Sequence, residues 1–471
     1  MTELPNGWAK SILHEVAQTS LGKMLDAKQA TGLHGTPYLR NINVRWGTFD
    51  LADLGSMDIR PDELERVLAR DGDVVVCEGG EPGRAAVWRR QDPIALQKAL
   101  HRIRPVEGVS AEFVAFLLRH AAESGALAGL FTGTTIKHLP QEKLRLVPVP
   151  LPPTAEQERI VTAIEEAFSK LDAGESGLRS VRQLLKRMRE AVLAAAVTGR
   201  LVPQDPTEAS AAELLASLEA ETHTSVKPVG LPDGWCWSTL GEVSLASGYG
   251  SSVKCGYDEA GVGVLRIPNV QRGLIDLVDL KRAPDGAVSD DLMLAPGDLL
   301  IVRTNGSRDL IGRSAPVMHD TGCSFASYLI RFRLNAAVVE GKYVSLMLAS
   351  SGWRRRLEAS AASSAGQYNL SLRTLEPMPV AVPPLEEQHR IVSEVERQFS
   401  FIDAGDRAVD VGLARSVALR RSVLQSAFEG RLIPQHSSDE PASVLLERIR
   451  IERAVSEGLN RTRRRTKVEA S

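Results

Sequence analysis

The sequence predicts a mixed α/β (α+β) protein written twice: two tandem domains, each followed by a long helix, the two helices pairing as a coiled coil. Three observations predict it. The text PPTAEQERIVTAIEEAFSKLDAGE from Pro152 returns as PPLEEQHRIVSEVERQFSFIDAGD from Pro383, and the register holds without a gap to GRLVPQ (Gly199 to Gln204) and GRLIPQ (Gly430 to Gln435). The openings of the two halves also answer each other, Leu4-Pro5-Asn6-Gly7-Trp8 and Leu231-Pro232-Asp233-Gly234-Trp235. Between opening and repeat, each half carries short β-branched runs and short amphipathic helices rather than one sustained period.

At 471 residues the chain is too long for one core and fits two or three domains. The repeat sets the boundaries: a mixed domain over 1–151, a helical spacer over 152–204, a short helix and linker over 205–230, a second mixed domain over 231–382, a second spacer over 383–435, and a short helix with a basic tail over 436–471. Inside the mixed domains, Leu39-Arg40-Asn41-Ile42-Asn43-Val44 answers Leu265-Arg266-Ile267-Pro268-Asn269-Val270. The runs Asp73 to Cys77 and Asp298 to Arg303 read as buried strands bounded by glycine and polar turns. Phe113 to Ala122 and Tyr343 to Ala349 read as short amphipathic helices. Both domains leave through proline-rich exits, VPVPLPP and MPVAVPP, which cannot continue a helix or donate to a central ladder.

In the first spacer Thr154 stands as an N-cap with Gln157 in the capping-box position. Apolar residues then recur with helical spacing: Ile160, Val161, Ile164, Phe168 and Leu171, followed by Leu178, Val181, Leu184, Leu185, Met188, Val192, Leu193 and Ala196. Continued to Thr198, such a helix is roughly 65–70 Å long, too long to bury its stripe on one small domain, so its natural partner is the other copy. Gly174 and Gly177, with Gly405 and Gly412 in the copy, are the points where it would break. Gly199 and Gly430 are placed as C-terminal caps. Short helices follow, Ala211 to Glu221 and Ala442 to Arg453, and the tail RTRRRTK (Arg461 to Lys467) reads as disordered.

Composition excludes several classes. Hydrophobic residues at 43% and charged residues at 25% are those of an ordinary soluble protein, and no apolar run reaches the ~18–20 residues that cross a bilayer. The opening MTELPNGWAK lacks the regions of a signal peptide. Four scattered cysteines without CxxC spacing read as isolated thiols in a reduced, cytoplasmic chain free of disulfides. A net charge of −2 weighs against a nucleic-acid binder unless charge is segregated or a partner neutralises phosphates. There is no phosphate loop, dinucleotide fingerprint, HExxH or Cys/His cluster, and no nucleophile constellation. The expectation is therefore no cofactor, no metal and no catalytic residue. Two related domains on a duplicated spacer read as a measuring device.

Taken in order, the LPxGW opening of each half, the proline exit followed by E-Q-x-R-I-V, the D-A-G turn and the GRL(V/I)P ending resemble the specificity (S) subunits of type I restriction–modification systems, over nearly the whole chain. The resemblance implies that each mixed domain is a target recognition domain reading one half of a bipartite, asymmetric double-stranded DNA sequence. It implies that the two spacers pack antiparallel, fix the separation of the domains and dock two methyltransferase subunits, which two ATP-dependent translocase–nuclease (restriction) subunits join for cleavage. The subunit itself would be non-catalytic and would not enter a membrane.

Candidate DNA-binding residues lie in polar, glycine-rich segments beside apolar strands. In the first domain they are Arg40, Asn43 and Arg45, then Thr134, Thr135 and Lys137 of the TGTTIK loop. In the second they are Arg266, Asn269 and Gln271; Arg303, Asn305, Ser307 and Arg308 of RTNGSRD; and Gln367, Tyr368 and Asn369 of SSAGQYN. Arg303 and Arg308 suit phosphate or guanine, Asn305 and Gln367 adenine, and Tyr368 a sugar or base. Residues repeated in both halves (Arg40/Arg266, Asn43/Asn269) read as scaffold or phosphate groups, because domains reading different sequences should differ where they read bases. Trp8 and Trp235 read as core anchors, Gln157 and Gln388 as caps or packing, and Arg159 and Arg390 as partner-facing or solvated. Two other classes stay open on the sequence: a duplicated protein–protein scaffold without DNA contact, and an enzyme whose motifs are unrecognised.

Overall fold

The computed structural model describes residues 4–24, 35–216, 230–271, 273–307, 310–360, 362–364 and 367–469. Two compact units form, and they do not follow chain order: one comprises 1–178 with 411–471, the other 179–410. Each long helix, Thr154–Ala196 and Leu385–Phe428, gives its longer N-terminal part to one unit and its C-terminal part to the other.

In the first unit, a four-stranded antiparallel sheet runs in the order Ala17–Leu21, Leu100–Pro105, Val74–Cys77, Ala85–Val87. Val74 to Cys77 is buried on both faces, as its unbroken apolar run requires. A second four-stranded sheet, Gly55–Asp58, Gly35–Leu39, Ile94–Leu96, Leu68–Ala69, has one parallel pair at its centre. The helix Ala111–Glu123, capped by the Ser110 hydroxyl accepting from Phe113 N (3.2 Å), covers the first sheet. One hydrophobic core joins this helix to Ile160, Ile164 and Phe168 of the first long helix, Leu424, Ala427 and Phe428 of the second, and Ala442, Leu445, Leu446 and Ile449 of the C-terminal helix.

The second unit repeats the plan. Its main sheet runs Ser244–Tyr249, Leu329–Leu334, Asp298–Val302, Ser314–Pro316, all antiparallel. A smaller sheet, Lys281–Arg282, Gly263–Leu265, Cys323–Phe325, again contains one parallel pair. Two helices follow, Gly341–Ala349 and Ser351–Ser360, of which the sequence pattern anticipates the first. The other end of each long helix closes this unit: Val192 and Ala196 of the first pack with Ile391, Val392 and Val395 of the second, around Trp235 and Tyr343.

Within each unit the helix halves run antiparallel. In the first, Glu175 accepts from Ser416 Oγ (2.7 Å) and Arg420, which also reaches Asp172 (2.6 Å). In the second, Arg182 pairs with Asp410 and Arg189 with Asp403.

The recurring motifs are joints. Trp8 Nε1–H donates to Glu156 Oε1 and Trp235 Nε1–H to Glu387 Oε2, both at 3.0 Å and both buried. Burial pushes the Glu387 carboxyl up, and the Trp235 and Gln204 donors pull it part of the way back. Gly430 (φ +68) leaves no room for a Cβ, which would lie 2.2 Å from Pro5 Cγ; Gly199 (φ +66) meets Pro232 at the same distance. Each GRL(V/I)P ending is thus pressed against an LPxGW opening, which is why those motifs occur together.

Several expectations need correction. Thr154 and Gln157 form no capping box: the helix already includes Thr154, whose hydroxyl donates to Gly108 O (2.9 Å). Gln157 accepts from Ser110 N (2.9 Å) and donates to Pro152 O (3.1 Å), tying the proline exit to the start of the domain helix; Gln388 does the same through Glu340 N and Pro383 O. Arg159 and Arg390, expected to face a partner or solvent, are partly exposed and also engaged within the chain. They pair with Asp439 and Glu208, just beyond the GRL(V/I)P endings. The glycines do not break the helices: Gly174 and Gly177 stand in open space, while Gly405 and Gly412 sit against Leu185 and Leu178. Val181, Leu184 and Met188 of the expected stripe lie 44%, 50% and 37% exposed, outside the helix seam. The helix Ala442–Glu469 runs through the RTRRRTK tail expected to be disordered. The helix expected at Ala211 to Glu221 spans Ala211–Ala216, and positions 217–229 lie outside the described residues. All four cysteines are free.

Candidate nucleic-acid interface

The repeated turn comes first. The Asn43 side chain accepts from Arg40 N (2.8 Å) and donates to Asp50 O and Asp53 O (both 2.9 Å). Asn269 makes the same three bonds, from Arg266 N and to Asp276 O and Asp279 O. Both amides are buried and fully used within their turns. Arg40 closes its turn on the Asp53 carboxylate (2.7 Å) and Arg266 on that of Asp279 (3.1 Å). The Tyr257 hydroxyl, with help from Arg266, holds the Asp279 carboxyl below its usual range. Beside these turns, Arg45 is exposed and 3.9 Å from Asp50. Gln271 is exposed too, donating to Pro268 O (2.7 Å).

In the first unit the central strand ends at Cys77 and the chain enters the 78–84 loop. Asn41 Nδ2 donates to Gly79 O (3.1 Å) and Arg84 donates to Asn41 O (2.9 Å), so loop and turn are bound together. Leu139 N donates to Glu78 O (2.7 Å), and Thr132 and His138 form an antiparallel bridge. This closes a hairpin whose tip, Thr134, Thr135, Ile136 and Lys137, is exposed. Gly133 (φ +86) makes the bend, where a Cβ would meet Ile136 O at 2.2 Å. Buried His101 supports the hairpin base through Leu139 O (2.8 Å), and burial pushes its imidazole below the ordinary histidine value.

The second unit brings its two candidate loops into one small sheet. Thr304–Asn305 pairs with Gln367–Asn369, which pairs with Ala362–Ser364. Thr304 Oγ1 donates to Asn369 Oδ1 (2.6 Å), and Asn305 Oδ1 accepts from Ser307 N (2.8 Å), which is exposed. Tyr368 is half-buried against the unit's core. Gln367 is described by its backbone alone, and Arg308 lies outside the described residues. Arg303 lies at the root of this sheet, donating to Leu370 O (3.2 Å) and Ser327 O (3.3 Å), its guanidinium 4.6 Å from the centre of the Tyr249 ring. Sequence reading missed Tyr249; nothing local marks it, because its position depends on pairing with the distant strand Leu329–Leu334.

Among the described residues no three His, Cys, Asp or Glu side chains group as a metal site, and no helix is long and apolar enough to cross a membrane.

Residues 5–178 match the family model described as the type I restriction modification DNA specificity domain. Among named relatives, the type I restriction enzyme StySPI specificity subunit of Salmonella potsdam is 26% identical over 98% of this chain and 99% of its own length. The EcoKI specificity subunit of Escherichia coli strain K12 shows the same identity and coverage. The fold is shared with a chain solved for complex assembly and conformational transition of the type I R-M system (TM-score 0.64, 20% identity, 92% of this chain and 100% of that one). It is shared too with the HsdS subunit from Thermoanaerobacter tengcongensis (TM-score 0.52, 20% identity, 91% and 98%).

Proposed function

We propose that this chain is the non-catalytic DNA sequence-specificity subunit of a type I complex working in the cytoplasm. Its mixed domains, over 1–151 and 231–382, each read one half of a bipartite, asymmetric duplex target. The spacers over 152–204 and 383–435 set the separation of the half-sites and dock two methyltransferase subunits, to which two restriction subunits add.

One observation carries the reading. The joints of the two units agree bond for bond (Trp8–Glu156 with Trp235–Glu387, Gln157 with Gln388), while the polar elements above them differ. A device that measures one separation but reads two sequences needs constant joints and variable tips. On this reading Arg40, Asn43, Arg266 and Asn269 build the turn, and Arg45, Thr134, Thr135, Lys137, Gln271, Asn305, Ser307, Tyr368 and Asn369, with Arg303, Arg308 and Gln367, face DNA. Half-sites on one face of B-DNA lie about 34 Å apart per turn, a separation that stiff helices can hold and a flexible linker cannot. Exposed Val181, Leu184 and Met188, with Phe401 at 70%, supply apolar surface of the kind that marks a protein partner. Methyltransferase subunits would supply phosphate contacts that a net charge of −2 does not.

The test is binding and methylation by the chain assembled with its methyltransferase subunits. A split target should be bound with a steep loss of affinity as salt rises and methylated in both parts. No binding to random duplex at low salt would instead favour the protein–protein scaffold.

A further inference from the structure

The two units carry opposite charges at one backbone position. In the first, the central strand is followed by Glu78, whose N–H donates to Ala99 O (2.9 Å) and whose carbonyl accepts from Leu139 N (2.7 Å). In the second, the central strand is followed by Arg303, whose N–H donates to Tyr328 O (3.0 Å) and whose carbonyl accepts from Leu370 N (2.8 Å). The strands match from their starts, where buried Asp73 holds Arg104 (2.6 Å) and buried Asp298 holds Arg333 (2.8 Å). Both positions sit where the sheet gives way to the polar elements, since Leu139 follows the Thr132–His138 hairpin and Leu370 follows the Gln367–Asn369 strand.

Neither charge has an opposite charge paired with it among the described residues. Arg266 and Arg333 each hold an aspartate, but Arg303 has no carboxylate within ion-pair distance among the described residues. Two carbonyls and the Tyr249 ring fix its guanidinium, and its Nη2 amino group keeps no protein acceptor among the described residues. Glu78 is half-buried, and its carboxylate has no hydrogen-bonding or ion-pair partner among the described residues. Its charge is felt by the His101 imidazole, but burial favours the neutral form of that ring. The Arg303 guanidinium, fixed without an internal counter-charge, is suited to an external one, and fixing the side chain beforehand lowers the entropy lost on binding. Glu78 offers a half-buried carboxylate whose acceptors are left for an external donor.

We infer that Glu78 and Arg303 are equivalent specificity-determining positions of the two domains. Arg303 donates to the O6/N7 edge of a guanine in the half-site held by the second unit. Glu78, an acceptor only, takes the N4 amino group of a cytosine in the other half-site. The inference rests on the DNA-reading function proposed above and adds to it which bases are read from this position.

The test uses the full chain assembled with its methyltransferase subunits, selecting bound sequences from randomised duplex. Arg303→Gln should relax one guanine position in one half-site by about 5- to 150-fold, the discrimination of a bidentate pair, and leave the other half-site unchanged. Glu78→Gln should relax one cytosine position in the opposite half-site only. Arg303→Lys, which keeps the charge but not the fork, should retain affinity and lose the guanine preference. Unaltered base preferences in Arg303→Gln and Glu78→Gln would overturn the inference. So would a uniform loss across sequences with the salt slope reduced by about 1, which marks a phosphate contact. Joint relaxation of both half-sites with a lowered melting temperature would mark a structural role and overturn it too. If the unaltered chain selects no split sequence, the DNA-reading function itself fails.

Discussion

At the scale of single residues, hydrogen-bond accounting separates scaffold from tip. Asn43 and Asn269 have the residue type that reads adenine, and the repeat already pointed to scaffold because both halves carry them. The sequence could not show that every polar atom of those amides is spent on Arg40/Asp50/Asp53 and Arg266/Asp276/Asp279. Asn43→Ala and Asn269→Ala should each cost about 1–3 kcal/mol, the cost of leaving buried groups unmade, and leave the bound sequence unchanged; thermal denaturation and sequence selection check both parts. The ion pair of Arg159 with Asp439 makes a pH prediction. Hydrogen bonding to Arg159 holds the Asp439 carboxyl below its usual 3.8. A depressed carboxylate contributes stability above its unfolded pKa and loses it as pH falls through the folded value. The stability difference between the unaltered chain and Asp439→Asn should therefore be full at neutral pH and shrink in the acid range. Urea denaturation across pH measures it, and a difference that stays constant into acid would contradict the pairing.

At the scale of elements, the long helices were the most legible part of the chain, since their apolar spacing and gapless repeat over 152–204 and 383–435 needed no tertiary knowledge. The four glycines were not, because propensity alone treats them alike. Space divides them. A Cβ on Gly412 would lie 2.8 Å from Leu178 and one on Gly405 3.0 Å from Leu185, whereas Gly174 and Gly177 have nothing within 4 Å. Gly174→Ala and Gly177→Ala should each stabilise by up to about 1 kcal/mol. Gly412→Ala should give no such gain, because Leu178 must shift. Chemical denaturation of the three variants decides it, and equal gains would contradict close packing of the helices. The candidate loops were legible as polar segments but not as partners: the pairing of Thr304–Asn305 with Gln367–Asn369 joins residues more than 60 positions apart, beyond the reach of local pattern.

At the scale of the whole molecule, the sequence divided the chain at its repeats, whereas the compact units interleave, each taking its domain, the start of one spacer and the end of the other. The motif pairs explain that arrangement once seen: Gly430 is pressed on Pro5 and Gly199 on Pro232 because the end of each spacer returns to the opening of the other half. The proposed function turns on the spacers fixing a distance while the domains choose the bases. Matched insertions of about two helical turns, roughly 10 Å of rise, in both Thr154–Ala196 and Leu385–Phe428 separate those two roles. The measurement is the methylation map of a host carrying the inserted chain beside that of a host carrying the unaltered one. The same two half-sites should be methylated with a longer permitted spacer between them; altered half-site bases, or an unaltered spacer in an assembled and active complex, would contradict the division of roles.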